Sequence, residues 1–455
     1  MENTDKDQSH VLIIGGGLSG ALLAINLLRK KVKRKIIIFD TRTQLGHGLA
    51  YSTNHLVHTL NNIPSKLSID PNNSEDFSEW LLSNKKCERE SKELYPPRKY
   101  FGEYVLCRLN EAIDVGKTHG TTLTFVNDEV TNLQDLPNQV IVSTKNNGTW
   151  FGNVAVIATG LSQKSKTDNL QSELSGLIFD PWDIEGMREI KENARILIVG
   201  SGLTMVDALF SLKEINHNGS IHVISRHGLI PHPRIQSNPW PDFLKENKAI
   251  KTPRQALSII RSECKKAQSA GFGWQAPIDA IRSSIGELWY KASDAHKRQF
   301  IHHLRALWEN HLHRCPPAGY DLIKDLQEKG LLTFEASKLI SLNKRNSEIS
   351  ARIKRKCATS TQDVEFDHVI IACGMDYDWT HFKNGLSNTL IFNGTVRPGP
   401  LNIGIMTNAA GRIIDKSNKL SERLFALGPP LRGVWWECTS ISSIAMQAKA
   451  LCELI

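Results

Sequence analysis

Two short apolar runs frame this chain. Val11-Leu12-Ile13-Ile14 and Ile196-Leu197-Ile198-Val199 carry no polar interruption, the pattern of strands buried on both faces. Each leads into a glycine-rich turn and then into apolar residues at helical spacing. The first turn, Gly15-Gly16-Gly17-Leu18-Ser19-Gly20, opens onto Ala21-Leu22-Leu23-Ala24-Ile25. The second, Gly200-Ser201-Gly202-Leu203-Thr204-Met205, opens onto Val206-Asp207-Ala208-Leu209. A second strand-like run follows each helix, Ile36-Ile37-Ile38-Phe39 and Ile221-His222-Val223-Ile224, so two βαβ units are predicted.

Strand, glycine turn and helix in that order make a dinucleotide site. The first glycine permits the tight turn, the second lets a pyrophosphate approach the backbone, and the helix N-terminus favours its charge. Gly15, Gly17, Leu18, Ser19 and Gly20 are expected at one cofactor, and Gly200, Gly202, Leu203 and Thr204 at another. The strand ends tell the two apart. About 20 residues past the first turn stands Asp40, which accepts ribose hydroxyls and repels a 2′-phosphate, as suits FAD or NAD. The same count past the second turn reaches Ser225 and Arg226, with no acid, which suits the 2′-phosphate of NADPH, NADH being the alternative. Met205 replaces the third glycine of the second turn, so looser helix–strand packing is expected there.

The remaining pattern supplies the organisation. Thr121 to Ile157 alternates and carries turn signals, as a small antiparallel meander would, and ends on a strand running to Gly160. Residues 231 to about 330 read as mostly helical and aromatic-rich. Phe366 to Gly374 repeats the apolar strand ending in glycine, and Ser421 to Gly428 reads as a last strand before a C-terminal helix. The expected fold is α/β with two Rossmann-like dinucleotide-binding domains. The FAD domain is discontinuous, spanning 1–186 and 366–455, and the NAD(P) domain of 187–365 is inserted in it and carries the helical insertion.

Composition narrows the class. At 455 residues, with 40% hydrophobic and 23% charged side chains, the chain reads as an ordinary multi-domain globular protein. A polar start, no apolar run of membrane-spanning length and eight scattered cysteines without a C-x-x-C pair lead us to expect a cytoplasmic protein, without stable membrane insertion and without a dithiol redox centre. The formal net charge is +9, and its densest run, Arg29 to Lys35, falls between helix and strand, where a solvated turn explains it. No nucleic-acid partner is expected. Oligomeric state is not legible.

These residues resemble a bacterial family of FAD/NAD(P)-binding proteins related to the class B flavin-dependent monooxygenases. The likeness is carried by Ile13 to Gly17, Gly48 to Thr53, Leu60 to Pro64 and Pro97-Arg98. It continues through Ile198 to Asp207, Ser225 to Pro231, His311 to Arg314 and Gly428 to Glu437. The resemblance implies bound FAD, a nicotinamide reductant, molecular oxygen and a small polar substrate hydroxylated on nitrogen or carbon. Many flavoenzymes carry an acid after the last strand; here Gly428 is followed by Pro429.

Several polar residues admit two roles each. Asn61 is placed at the isoalloxazine edge, or in a structural turn. Arg98 is placed at the FAD pyrophosphate, or in an ion pair. His313 and Arg314 are placed at an anionic substrate or the NADP phosphate, or in interdomain contacts. No metal site and no committed catalytic acid or base is expected. Two other readings stay open: a reductase without oxygenation, and a redox sensor that turns nothing over.

Overall fold

The computed structural model describes residues 9–87, 95–160, 162–163, 174–246, 250–381 and 385–455. β1 (Ser9–Ile14), α1 (Leu18–Arg29) and β2 (Arg34–Asp40) form the first βαβ unit, β1 and β2 pairing in parallel. Alternation along β1 sends its side chains to two cores. Val11 and Ile13 pack under α1, the helix Arg98–Lys117 and the C-terminal helix Ile441–Leu454, while Leu12 and Ile14 face the opposite side with Val130, Leu133, Val140 and Val142. A strand buried on both faces has no polar position to spare, which explains the uninterrupted run.

The first sheet has six strands in the order Arg412–Ile414, Leu420–Ala426, Val154–Ile157, β1, β2 and Thr122–Asn127. Thr122–Asn127 was expected in the antiparallel meander; it instead pairs with β2 in parallel. The helix Arg98–Lys117 precedes it, and a strand reached through a covering helix returns parallel to the sheet. The meander is confined to Val130–Asp135, Val140–Thr144 and Thr149–Gly152.

The second sheet has seven strands: Gln362–Phe366, Glu348–Arg355, Leu332–Arg345, Ile221–Ser225, Ile196–Val199, His368–Ile371 and Ile178–Phe179. The first and last of these in sequence order, Ile178–Phe179 and His368–Ile371, lie just outside the 187–365 range expected for this unit. The chain thus changes sheets before Ile178 and after Ile371. Ser162–Gln163 and Met375–Asp376, one on each of these crossings, pair antiparallel. Helices from Phe243–Glu246 to Pro317–Glu328 make up the insertion. No described helix is long and apolar enough to cross a membrane.

Candidate functional site

Both glycine turns are built as their sequences demand. Gly15 has φ +109° and Gly200 has φ +113°, and a Cβ on either would sit 2.4 Å from the Ala158 carbonyl oxygen or 2.2 Å from that of Ala372. A Cβ on Gly20 would meet the Gly15 carbonyl oxygen at 2.0 Å, so α1 presses directly on the turn. At the equivalent place of the second unit, Met205 is completely buried in the core with Ile196, Ile198 and Leu209.

The two helices begin alike. Neither has a side-chain N-cap, neither carries an acid in its first turn, and their N-caps are Gly17 and Gly202. Amides at such a start have no intrahelical acceptor and point to an anion from outside. Around the first, Leu18 and Ser19 are buried, and Gly428 lies so close that a Cβ there would come within 2.3 Å of Ser19 Oγ. Gly428 has φ +73°, and its N–H donates to Gln447 Oε1 of the C-terminal helix at 3.1 Å. A Cβ on Gly17 would lie 3.2 Å from the Gly48 Cα, so the loop Gly46–Gly48 closes over the turn. Gly160, with φ +71°, ends the loop after Val154–Ile157 in open space.

The two strand ends carry different chemistry. Asp40 ends β2, and its carboxylate accepts from the Gly16 N–H at 2.7 Å and the Arg42 N–H at 2.9 Å, at the rim of the first turn. Ser225 ends its strand and accepts from Ser201 Oγ at 2.9 Å and the Gly228 N–H at 3.0 Å. Arg226 is exposed beside it. Lys356 joins this corner: burial first, then Lys356 and Arg226, hold the His227 imidazole below its ordinary range. Lys356 was not singled out from the sequence, although Lys354-Arg355-Lys356 closing a strand is a basic signal.

Arg98 lies in an ion pair, one of the two roles its sequence position admits. Its Nη2 pairs with Asp207 at 2.7 Å and its Nε donates to the Thr59 carbonyl at 3.1 Å, tying the first unit to the helix Leu203–Glu214 of the second. Trp182 Nε1 also donates to Asp207, at 2.9 Å. Burial raises the Asp207 carboxyl, with Arg98 and the indole opposing. A second junction lies beside it, where His58 Nε2 meets Ser211 Oγ at 2.9 Å and His58 Nδ1 meets Thr53 Oγ1 at 2.8 Å. Burial, then Arg98 and His55, push the His58 imidazole down to about 4.

The third junction gathers cations. Arg234 Nε donates to the carbonyl of Asn61 at 2.6 Å, bringing the insertion onto the Asn61 loop. Asn61 contributes that backbone oxygen here. His313 lies among Arg234, Arg282, Arg314 and Arg432; burial and these charges push its imidazole down to about 3. Arg314, placed at substrate or the NADP phosphate or in interdomain contacts, donates from its terminal nitrogens to Gln275 and Asp279 within the insertion. Arg432 donates to Glu309 at 3.0 Å and stacks 4.0 Å from the Trp436 ring centroid. Among the described residues, Nε of Arg314 and Nε of Arg432 are buried without an acceptor. Arg234, Arg282 and Arg432 were not read from the sequence; only their convergence in space marks them. No cluster of described His, Cys, Asp and Glu side chains has metal-binding geometry.

A family described as FAD-NAD(P)-binding matches residues 12–162. Among curated proteins, none matches the sequence. Among solved structures, the ornithine N-hydroxylase of Kutzneria sp. 744 shares the fold with a TM-score of 0.65 at 13% identity, covering 98% of each chain. The cadaverine monooxygenase of Erwinia amylovora, solved with FAD, gives 0.66 at 13% identity over 98% of this chain and 94% of its own. The L-lysine 6-monooxygenase of Pseudomonas syringae gives 0.66 at 12% identity over 98% of each.

Proposed function

We propose that this chain, which carries an FAD/NAD(P)-binding domain over residues 12–162, is an FAD-dependent, NADPH-consuming monooxygenase acting on a small molecule. The observation that carries the reading is the pair of uncapped glycine-loop helices with opposite strand-end chemistry, Asp40 at one and Ser225 with Arg226 and Lys356 at the other. Full-length likeness to N-hydroxylating monooxygenases at the level of fold supports it. When bound, the flavin would supply hydride acceptance and oxygen activation, chemistry that side chains lack.

The chain's own residues bind, orient and exclude water. The amides after Gly15 and Gly17 and at α1 would hold the FAD pyrophosphate, and Asp40 the ribose. The amides after Gly200 and Gly202 would hold the NADPH pyrophosphate, with Arg226 and Lys356 at the 2′-phosphate. The Arg98–Asp207 and His58–Ser211 contacts fix one unit against the other, which is what aligning a nicotinamide with a flavin requires. The cations around His313 favour an anionic group on the substrate, since buried guanidinium donors need acceptors. Neutral His313 is unable to add a further charge there.

The test is spectroscopic. FAD-loaded protein mixed anaerobically with NADPH should bleach at the flavin band, with NADH less effective, and air should restore the colour. A flavin that NADPH leaves oxidised sinks the reading. Oxygen incorporation into product, against fast turnover with artificial acceptors and no oxygenated product, separates a monooxygenase from a plain reductase.

A further inference from the structure

A cavity of about 1320 Å³ lies inside the helical insertion, away from both glycine turns. That exceeds the roughly 300–1,000 Å³ usual for small-molecule sites. Its walls are largely apolar, with Trp274, Ile278, Trp289, Phe300, Trp308 and Trp436 around the inner part. The helix Pro253–Ser269 forms one wall, and Ala256, Leu257, Ile260 and Cys264, all on one face of it, line the space. Of that 17-residue helix only Ala267 is buried. An amphipathic helix ordinarily buries its apolar stripe against protein; this one turns the stripe toward the cavity.

One cation stands inside. Lys297 lines the cavity and is 6% exposed. Among the described residues no carboxylate or carbonyl bonds its Nζ, and its polar neighbour is the face of Trp289, 5.5 Å from Nζ to the ring centroid. Desolvation lowers the ammonium from its ordinary range, with Asp294 opposing from beyond ion-pair distance. Lys245, Lys251, Arg261, Lys265 and Lys291 also line the cavity, against the single carboxylate of Glu287, which already pairs with Lys291 at 3.7 Å. A small inorganic anion would leave the apolar walls in water, and a neutral hydrocarbon would leave Lys297 without a counter-charge.

We propose that this cavity is a binding site for an apolar carboxylate, a long-chain or aryl acid whose tail lies among the tryptophans and whose carboxylate pairs with Lys297. The basic rim draws the anion in. The site is separate from the glycine turns and does not depend on the monooxygenase reading.

The experiment is calorimetric titration of the FAD-loaded full chain with dodecanoate, dodecan-1-ol and dodecylammonium, with tryptophan fluorescence as a second signal. Dodecanoate should bind saturably at one equivalent. Lys297→Met should weaken dodecanoate roughly ten-fold, the scale of one charge-assisted hydrogen bond, while leaving dodecan-1-ol unchanged, and Lys297→Arg should restore much of the loss. Ile260→Trp, which fills the space from the helix wall, should weaken dodecanoate and dodecan-1-ol together. No saturable dodecanoate binding, equal affinity for dodecylammonium, or an unaltered affinity in Lys297→Met would overturn the proposal. None of these readouts needs NADPH turnover, so a failure here is distinct from a failure of the proposed reaction.

Discussion

Gly202 and Gly428 lack a side chain for different reasons, and substitution separates them. A Cβ on Gly202 would meet nothing within 4 Å, so the folded chain alone gives no cause for glycine there; an approaching pyrophosphate does. Gly202→Ala should therefore change stability by no more than about 1 kcal/mol, the scale of an altered helix N-cap, and keep its flavin. NADPH should bind it roughly ten-fold more weakly, as read by the concentration needed to bleach half the flavin, because the methyl group blocks the backbone approach. Gly428 has φ +73° and touches Ser19, so Gly428→Ala should lose flavin absorbance per mole of protein and melt earlier. At the second strand end, Arg226→Ala with Lys356→Ala should lower the preference for NADPH over NADH by about ten-fold or more, since two charge-assisted contacts to one phosphate are removed. A double variant with unchanged preference would show that the 2′-phosphate lies elsewhere.

At the scale of elements, uninterrupted apolar runs marked β1 and Ile196–Val199 and the centre of β2 because these are buried on both faces, and Ile221–Ser225, half-buried at His222, also lies where its sequence indicates. Thr122–Asn127 misled because its alternating pattern is that of an edge strand, half exposed in a parallel sheet as it would be in a meander. The glycine turns were legible since their geometry is local. The junctions were not. Arg98 and Asp207 stand far apart in sequence, and no periodicity links a helix start in one unit to a helix in the other. Nothing in the sequence marks the cations around His313 as neighbours either, since they come from four separate segments. The Arg98–Asp207 pair carries its own prediction. Arg98→Ala leaves a buried carboxylate with only the Trp182 indole, so it should cost about 3–5 kcal/mol by urea denaturation, the range for breaking a buried pair. Arg98→Ala with Asp207→Ala should recover part of that loss, because no uncompensated charge remains.

Across the whole molecule, buried histidines link stability to pH. His58 sits between Thr53 and Ser211 at the junction of the two units, and burial pushes its imidazole down to about 4; His313 is pushed to about 3. His217, His222, His232 and His368 are lowered as well, all by burial first. An unfolded histidine takes up its proton near 6.5, so between that value and the folded one the unfolded chain binds more protons. Stability is then full above 6.5 and is lost as pH falls toward 4. Asp207 acts in the opposite sense: its raised carboxyl binds a proton earlier in the folded state and offsets part of the loss. Histidines outnumber it, so the net slope follows them. Urea midpoints at pH 7.5, 6.5, 5.5 and 4.5 should fall steadily, with the m-value constant. In His58→Gln, which keeps an amide between Thr53 and Ser211 but cannot titrate, the fall should be shallower by on the order of 2 kcal/mol over that window. A His58→Gln slope equal to that of the parent would mean His58 is protonated in the folded state near its ordinary value, and the tight packing of the two units around it would have to open at mildly acid pH.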